Sequence, residues 1–235
     1  MFKRIGIIGA MEAEVALLKN VSKISKSTRL CDMEFVEANL AGVEVVIAQC
    51  GMGKVNAALC AHTMIHLFRC EALINSGVAG SLDDGLNICD FVISTKAIQH
   101  DYDASPIGFK KAEIPYTGLV GFEADPRLVE AALEAVDHVV GKSHGVAGVI
   151  CSGDQFIVDI GKKESIHRDF GGLCCEMEGA AVAQTCYLSH VPFVIIRCIS
   201  DKPDGSVIMN FEEFSKIAAI KGAEVVRYLI EHLSH

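Results

Sequence analysis

The feature that most constrains this chain is a series of short apolar runs, each ending abruptly in small residues or acids. Arg4 to Ile8 stops at Gly9, and Val43 to Gln49 gives way to Gly51-Met52-Gly53. Ala72 to Asn75 enters Ser76–Ser81, and Gly145 to Cys151 meets Ser152-Gly153-Asp154. Leu173 to Cys175 runs into Glu176-Met177-Glu178, and Phe193 to Ile199 ends at Ser200-Asp201. Continuous apolar runs of this length suit strands covered on both faces. Helical patterns lie between them. Met11 to Lys19 carries Glu12 and Glu14 in its first turn, where acids meet the positive end of the helix dipole. A second helix runs from about Lys54 to Phe68, and a third starts at Asp125-Pro126 with Asp125 as N-cap. Ala180 to Ser189 is a fourth, and the last begins at Asn210, paired with Glu213 at capping-box spacing. Phe35 to Leu40 and Val43 to Gln49 read as a hairpin, which makes the sheet mixed. Ile88 to Ile98 reads as a further strand, and His100 to Gly121 as a long irregular loop. The alternation has no break in composition. It specifies one α/β domain over residues 1–235, with a largely parallel sheet covered on both sides.

The wider composition removes several classes of function. Hydrophobic residues at 51% against 22% charged exclude a disordered chain. No apolar run approaches the ~20 residues of a membrane helix. The net charge of -9 leaves no basic excess for non-specific nucleic-acid binding. Ten cysteines without a CxxC pair read as small buried hydrophobes, Cys50, Cys70, Cys151, Cys174, Cys175 and Cys198 among them. That use of cysteine implies a reducing, cytoplasmic setting. The stretch after Lys3-Arg4 is too short for a secretory leader.

Ligands of open α/β sheets bind at the carboxyl ends of the strands, so the strand-end loops carry the functional information. Gly51-x-Gly53-x-x-Asn56 starts like a dinucleotide fingerprint, but Asn56 replaces the third small residue. The chain has neither a P-loop nor GxSxG. His100, Asp101 and Asp103 read as a solvated turn rather than a metal site, and no cofactor is expected. Carboxylates remain: Glu14, Glu178 and Asp201. Singly, each also suits a turn, a cap or a dipole partner. Together they suit a glycosidic bond, where one acid protonates the leaving group and one base activates water.

Six motifs in register carry a resemblance. IGIIGAMEAEV (Ile5 to Val15), GMGKVNAA (Gly51 to Ala58), NSGVAGSL (Asn75 to Leu82), SGDQFI (Ser152 to Ile157), CEMEGAAVAQ (Cys175 to Gln184) and RCISDKPD (Arg197 to Asp204) span nearly the whole chain. Together they resemble the 5′-methylthioadenosine/S-adenosylhomocysteine nucleosidases of the purine nucleoside phosphorylase superfamily. The resemblance implies a three-layer α/β/α sandwich around a mixed, barrel-like central sheet. It implies that Glu14 activates water, that Asp201 protonates N7 of adenine and that Glu178 holds the ribose hydroxyls. Met177 would lie on the ribose, and Phe156 would stack on adenine while the backbone of Ile157 reads its edge. Ser200 would orient Asp201, with Arg197 and Glu176 close behind. Met11 and Phe211 would line the alkylthio pocket beside Val78. Met52, Phe109 and Pro115 would come from the partner subunit of a homodimer.

The main fork is hydrolysis against phosphorolysis. No arginine lies in the Gly9, Gly51 or Gly77 loops, and Glu14 would repel phosphate, so water is the expected nucleophile. Val78 departs from the serine common at that position in the family, which removes a hydroxyl near the water. The other readings are a purine nucleoside phosphorylase, a nucleosidase for another purine nucleoside, and a silent adenine nucleoside-binding protein. The last has no use for both Glu14 and Asp201.

Overall fold

The computed structural model describes residues 2–202 and 211–233, the side chains of residues 211–215 excepted. The first apolar run becomes β1 (Arg4–Gly9), followed by α1 (Glu12–Val21). An antiparallel meander follows: β2 (Lys23–Leu30), β3 (Met33–Leu40) and β4 (Val43–Gln49). Next come α2 (Lys54–His66), β5 (Ala72–Ser81) and β6 (Phe91–Gln99). Short pairs β7 (Glu113–Ile114), β8 (Leu119–Val120) and β9 (Phe122–Glu123) lead to α3 (Pro126–Val139). Asp125 caps α3 by accepting from the amides of Arg127 (2.9 Å) and Leu128 (3.4 Å). The chain continues through β10 (Gly145–Ser152), α4 (Ile160–Phe170), β11 (Gly172–Glu176), α5 (Gly179–Ser189), β12 (Phe193–Asp201) and α6 (Phe211–Leu233).

The sheet order is β11-β10-β6-β12-β5-β1-β4-β3-β2. It is mixed, because β12 runs parallel to β5 and antiparallel to β6. β11 also pairs with β5, Cys174 facing Ser81 and Cys175 facing Gly80, which closes one half into a barrel. Successive strand residues feed opposite layers, as a pleat requires. Ile8, Leu73 and Ile195 pack with Met64 of α2 and Val182 of α5. Ile7, Ile74 and Val194 pack with Val15 of α1, Leu128 of α3 and Leu229 of α6. This is the expected sandwich, helices on both faces of one sheet.

The sequence reading misplaces four segments. Residues 23–30 form a strand, β2, although most of its side chains are exposed. It pairs only with β3 at the sheet edge, so it carries no apolar alternation. α4 was not anticipated because only Lys163 and Ile166 of its residues are buried. Residues 76–81 are not a loop but the second half of β5, paired with β12 as far as Gly80 opposite Asp201. The strand expected from Ile88 begins at Phe91. The ten thiols are all unpaired; Cys31 is exposed and Cys89 half-buried, and the other eight, including all those singled out from sequence, are buried. The Asn210–Glu213 cap expected from the sequence lies outside the described residues.

Candidate active site

The carboxyl ends of β1, β5, β11 and β12 converge on a cleft of about 250 Å³. Its walls hold Glu14, Glu178 and Asp201 together with Met11, Met52, Val78, Phe156, Ile157, Glu176, Met177 and Ser200. The structure therefore brings eleven of the expected residues into one wall. Sequence reasoning passed over Ala10, Ala79, Gly80, Gln155 and Cys175, which complete the lining. Their signal is weak, because four are small or thiol side chains that supply shape rather than chemistry and Gln155 is an uncharged amide.

Glu14 sits in the first turn of α1 and is buried. Its Oε2 accepts from the amides of Ala10 (2.6 Å) and Met11 (2.9 Å), and its Oε1 from Val78 (3.1 Å). Burial pushes its carboxyl up; the Met11 amide, the Arg197 charge and the amides of Val78 and Ala10 pull against it. Val78 thus serves the site through its backbone. Its side chain can differ from the family's serine without loosening Glu14. Gly77 is required next to it, since a Cβ there would stand 2.7 Å from Oε1.

Glu176 is the hub of the buried end. Its carboxylate accepts from Ser152 Oγ, from Arg197 Nη2 and Nε (3.1 Å for Nε), and from the amides of Glu178 (3.0 Å) and Gly179 (2.8 Å) at the start of α5. Burial would raise its pKa, but the Arg197 charge and these hydrogen bonds outweigh it and hold it below the usual carboxylate range. Arg197, fully buried, also donates to Asn75 Oδ1 (2.6 Å) and the Asn75 carbonyl (3.2 Å). Arg197, expected among the substrate-binding residues, does not line the cleft; it stands behind the acids, where Glu176 and Asn75 occupy its guanidinium. Asn75 was not anticipated, and it ties the cluster to β1 through the Ile8 carbonyl (3.0 Å).

Glu178 accepts from the Gly53 amide at 2.8 Å, and its Oε2 lies 4.0 Å from Arg197. Burial, then the nearby Glu176 charge, pushes it up to about 7. Asp201 closes the other end. Its Oδ2 accepts from Lys163 Nζ at 2.9 Å, and Ser200 Oγ lies 3.1 Å from its Oδ1. A Cβ at Gly80 would approach Oδ2 to 2.9 Å, so a larger residue there would push the Asp201 carboxylate aside. Phe156, 60% exposed, presents an aromatic face at the same cleft.

One further expectation comes out differently. Met52 was assigned to a partner subunit, yet it lines the cleft of its own chain, because the Gly51–Gly53 turn is anchored by Glu178 of that chain. Phe109 and Pro115 lie outside the cleft of their own chain, on the segment between β6 and β8, where Phe109 packs edge-on against Tyr116; that position leaves their assignment to a partner's cleft open. The side chain of Phe211 lies outside the described residues. Asp101 pairs with Lys54 (2.7 Å), and Asp103 accepts from the Ser105 amide (2.8 Å).

The cleft wall carries acids and apolar groups but no lysine or arginine among the described residues. It offers a base in Glu14, a polar anchor in Glu178, and an aromatic face near a carboxylate in Phe156 and Asp201. The phosphorylase superfamily model matches residues 4–231. A 5′-methylthioadenosine/S-adenosylhomocysteine nucleosidase of Staphylococcus aureus is 38% identical over 230 residues, 97% of this chain and all of that protein. The crystal structure of the nucleosidase of the same name from Neisseria meningitidis, in complex with methylthio-immucillin-A, superposes with a TM-score of 0.92. It is 36% identical and covers 98% of this chain and 99% of that one. A futalosine hydrolase of Helicobacter pylori superposes with a TM-score of 0.91 at 31% identity, covering 98% of each chain.

Proposed function

This chain belongs to the 5′-methylthioadenosine/S-adenosylhomocysteine nucleosidases of the phosphorylase superfamily, and on that premise we propose that it hydrolyses the N-glycosidic bond of both nucleosides, releasing adenine and the 5-thio-substituted ribose. The observation that carries this reading is the presence of Glu14, Glu178 and Asp201 in one cleft without a lysine or arginine in its wall. Adenine stacks on Phe156, and the Ile157 backbone meets its edge. The ribose lies against Met177 with its hydroxyls on Glu178. The alkylthio group occupies the apolar end near Met11 and Met52, a setting that suits a thioether.

Glu14 takes a proton from water as the water attacks C1′. Its backbone amides fix the carboxylate, so the water meets a base already in place. The ribose gains positive charge as the bond to N9 lengthens, and the Glu178 carboxylate stabilises it most at that moment. Asp201 protonates N7, which lets adenine leave as a neutral base. Phosphate is disfavoured as nucleophile. The nearest cations, Arg197 and Lys163, are already engaged by Glu176 and Asp201, and Glu14 would repel an anion.

The test is incubation with methylthioadenosine in phosphate-free buffer, with phosphate added to a parallel sample. Adenine release at the same rate in both is expected. A sugar 1-phosphate product, or no turnover without phosphate, overturns hydrolysis. The likeness to a futalosine hydrolase makes the 5′ substituent the variable to scan, so S-adenosylhomocysteine and 5′-deoxyadenosine belong in the same assay.

The active form is proposed to be a homodimer. Val55 and Leu59 of α2, the helix that follows Met52, are exposed, as are Ile107 and Tyr116 on the segment between β6 and β8, and a second copy would bury these apolar side chains. Phe109 and Pro115 would then approach the partner's cleft. Val55→Asp should shift the mass measured by light scattering to that of the monomer and lower substrate affinity.

A further inference from the structure

Asp201 is met from behind by Lys163, whose side chain on α4 is 3% exposed. Lys163 Nζ lies 2.9 Å from Asp201 Oδ2 and 3.2 Å from the Lys202 carbonyl oxygen. A carboxylate with an ammonium on one oxygen and a hydroxyl near the other is the ionised form. It has no proton of its own to give, yet the nucleosidase reading requires Asp201 to deliver one to N7. The Ser200 hydroxyl is too weak an acid to supply it. β11 offers Cys175 and Glu176 to this pair. Burial pushes the Cys175 thiol up to about 12, and Arg197 keeps Glu176 ionised. A purine seated over Asp201 would also separate it from bulk water.

We propose that Lys163 is the proton reservoir of the leaving-group step, a positioning residue that acts through Asp201. As the C1′–N9 bond breaks, its electron pair passes into adenine. N7 takes a proton from Asp201, and Asp201 takes one from the Lys163 ammonium. Lys163 is left as a neutral amine, and Glu14 holds the proton taken from water. After the products leave, Glu14 returns its proton to solvent and Lys163 regains one, so the cycle balances. Lysine suits this role because an ammonium can surrender a proton to a nearby base, whereas a guanidinium does not. The inference rests on the nucleosidase reading.

The test compares wild type, Lys163→Met and Lys163→Arg on two substrates. One is methylthioadenosine. The other is the 4-nitrophenyl 5-methylthioriboside, whose nitrophenolate departs without a proton. On methylthioadenosine, kcat should fall ~10²-fold in both variants with KM little changed, the scale of a general-acid contribution. On the nitrophenyl riboside both variants should match wild type. Full kcat in Lys163→Arg would overturn the proposal by reducing Lys163 to a charge that holds Asp201. Equal losses on both substrates would overturn it in favour of packing, and an unaffected Lys163→Met would make water the source. A wild type that releases neither adenine nor nitrophenolate would instead bring down the nucleosidase reading, and the reservoir with it.

Discussion

The two carboxylates at the ends of the cleft are held by different kinds of partner. Glu14 accepts three backbone amides from two segments far apart in sequence, residues 10–11 and Val78. Asp201 is held by two side chains, Lys163 and Ser200. Backbone amides of the β1–α1 turn and of β5 are fixed by the chain around them, whereas an ammonium on a four-carbon stem can turn away. The Glu14 end, proposed to position water, is therefore rigid, backed by the Glu176–Arg197–Asn75 cluster. The Asp201 end, proposed to serve the purine base, is held by side chains that can change partners. In this arrangement a base for attack must stand ready, while an acid must change state during the reaction.

The largest effects should come from removing the two acids. Glu14→Gln and Asp201→Asn should each lower the rate of adenine release by ~10³-fold, measured in the phosphate-free assay. The comparison sharpens with the nitrophenyl riboside, on which only Glu14→Gln should lose its rate. A loss by Asp201→Asn on that substrate as well would give Asp201 a task beyond protonation.

Stability should separate the two ends next. Arg197→Met leaves Glu176 buried and unpaired and should cost about 3–5 kcal/mol in urea unfolding. Lys163→Met leaves Asp201 at the cleft wall with access to water and should cost under about 2 kcal/mol. Equal costs would erase the distinction between a locked end and an adjustable one.

A methyl group then tests rigidity directly. Gly77→Ala would press on Glu14 at 2.7 Å, where the three amides block any retreat, and kcat should fall ~10²-fold. Gly80→Ala would press on Asp201 at 2.9 Å, but that side chain can swing, and about a tenfold loss is expected.

The smallest effect is a pH dependence of stability. Glu178 is raised from its ordinary 4.5 to about 7, so the folded chain holds its proton more tightly than the unfolded one. The stability this contributes is present below about 4.5 and is lost as pH rises through about 7. Glu178→Gln should therefore raise Tm relative to wild type more at high pH than at low pH, read by differential scanning fluorimetry. A pH-independent difference would mean that Glu178 is not the group responsible.

Much of this was legible in the sequence, for local reasons. Apart from β5, which runs on through small residues, each strand that ends at the cleft is a contiguous apolar run stopped by a small or acidic residue, so the order of elements and the acids near their ends lie within a few positions of one another. Glu14, Glu178 and Asp201 stood out that way. β2 and α4 did not, because an edge strand and a half-exposed helix bury too little to impose a period. With α4 unseen, Lys163 could not be tied to Asp201, 38 positions away. Gly53 and Glu178 are 125 positions apart, so their contact, which sets Met52 in its own chain's cleft, is equally invisible locally. The same holds for the Val78 amide on Glu14, where the backbone rather than the residue type does the holding. The sequence by itself determined the elements and the chemistry at their tips, since those depend on neighbours along the chain. Which groups meet, and which acid is held by backbone amides while the other is held by side chains, was decided by the closing of the barrel, which joins strands that the chain order keeps apart.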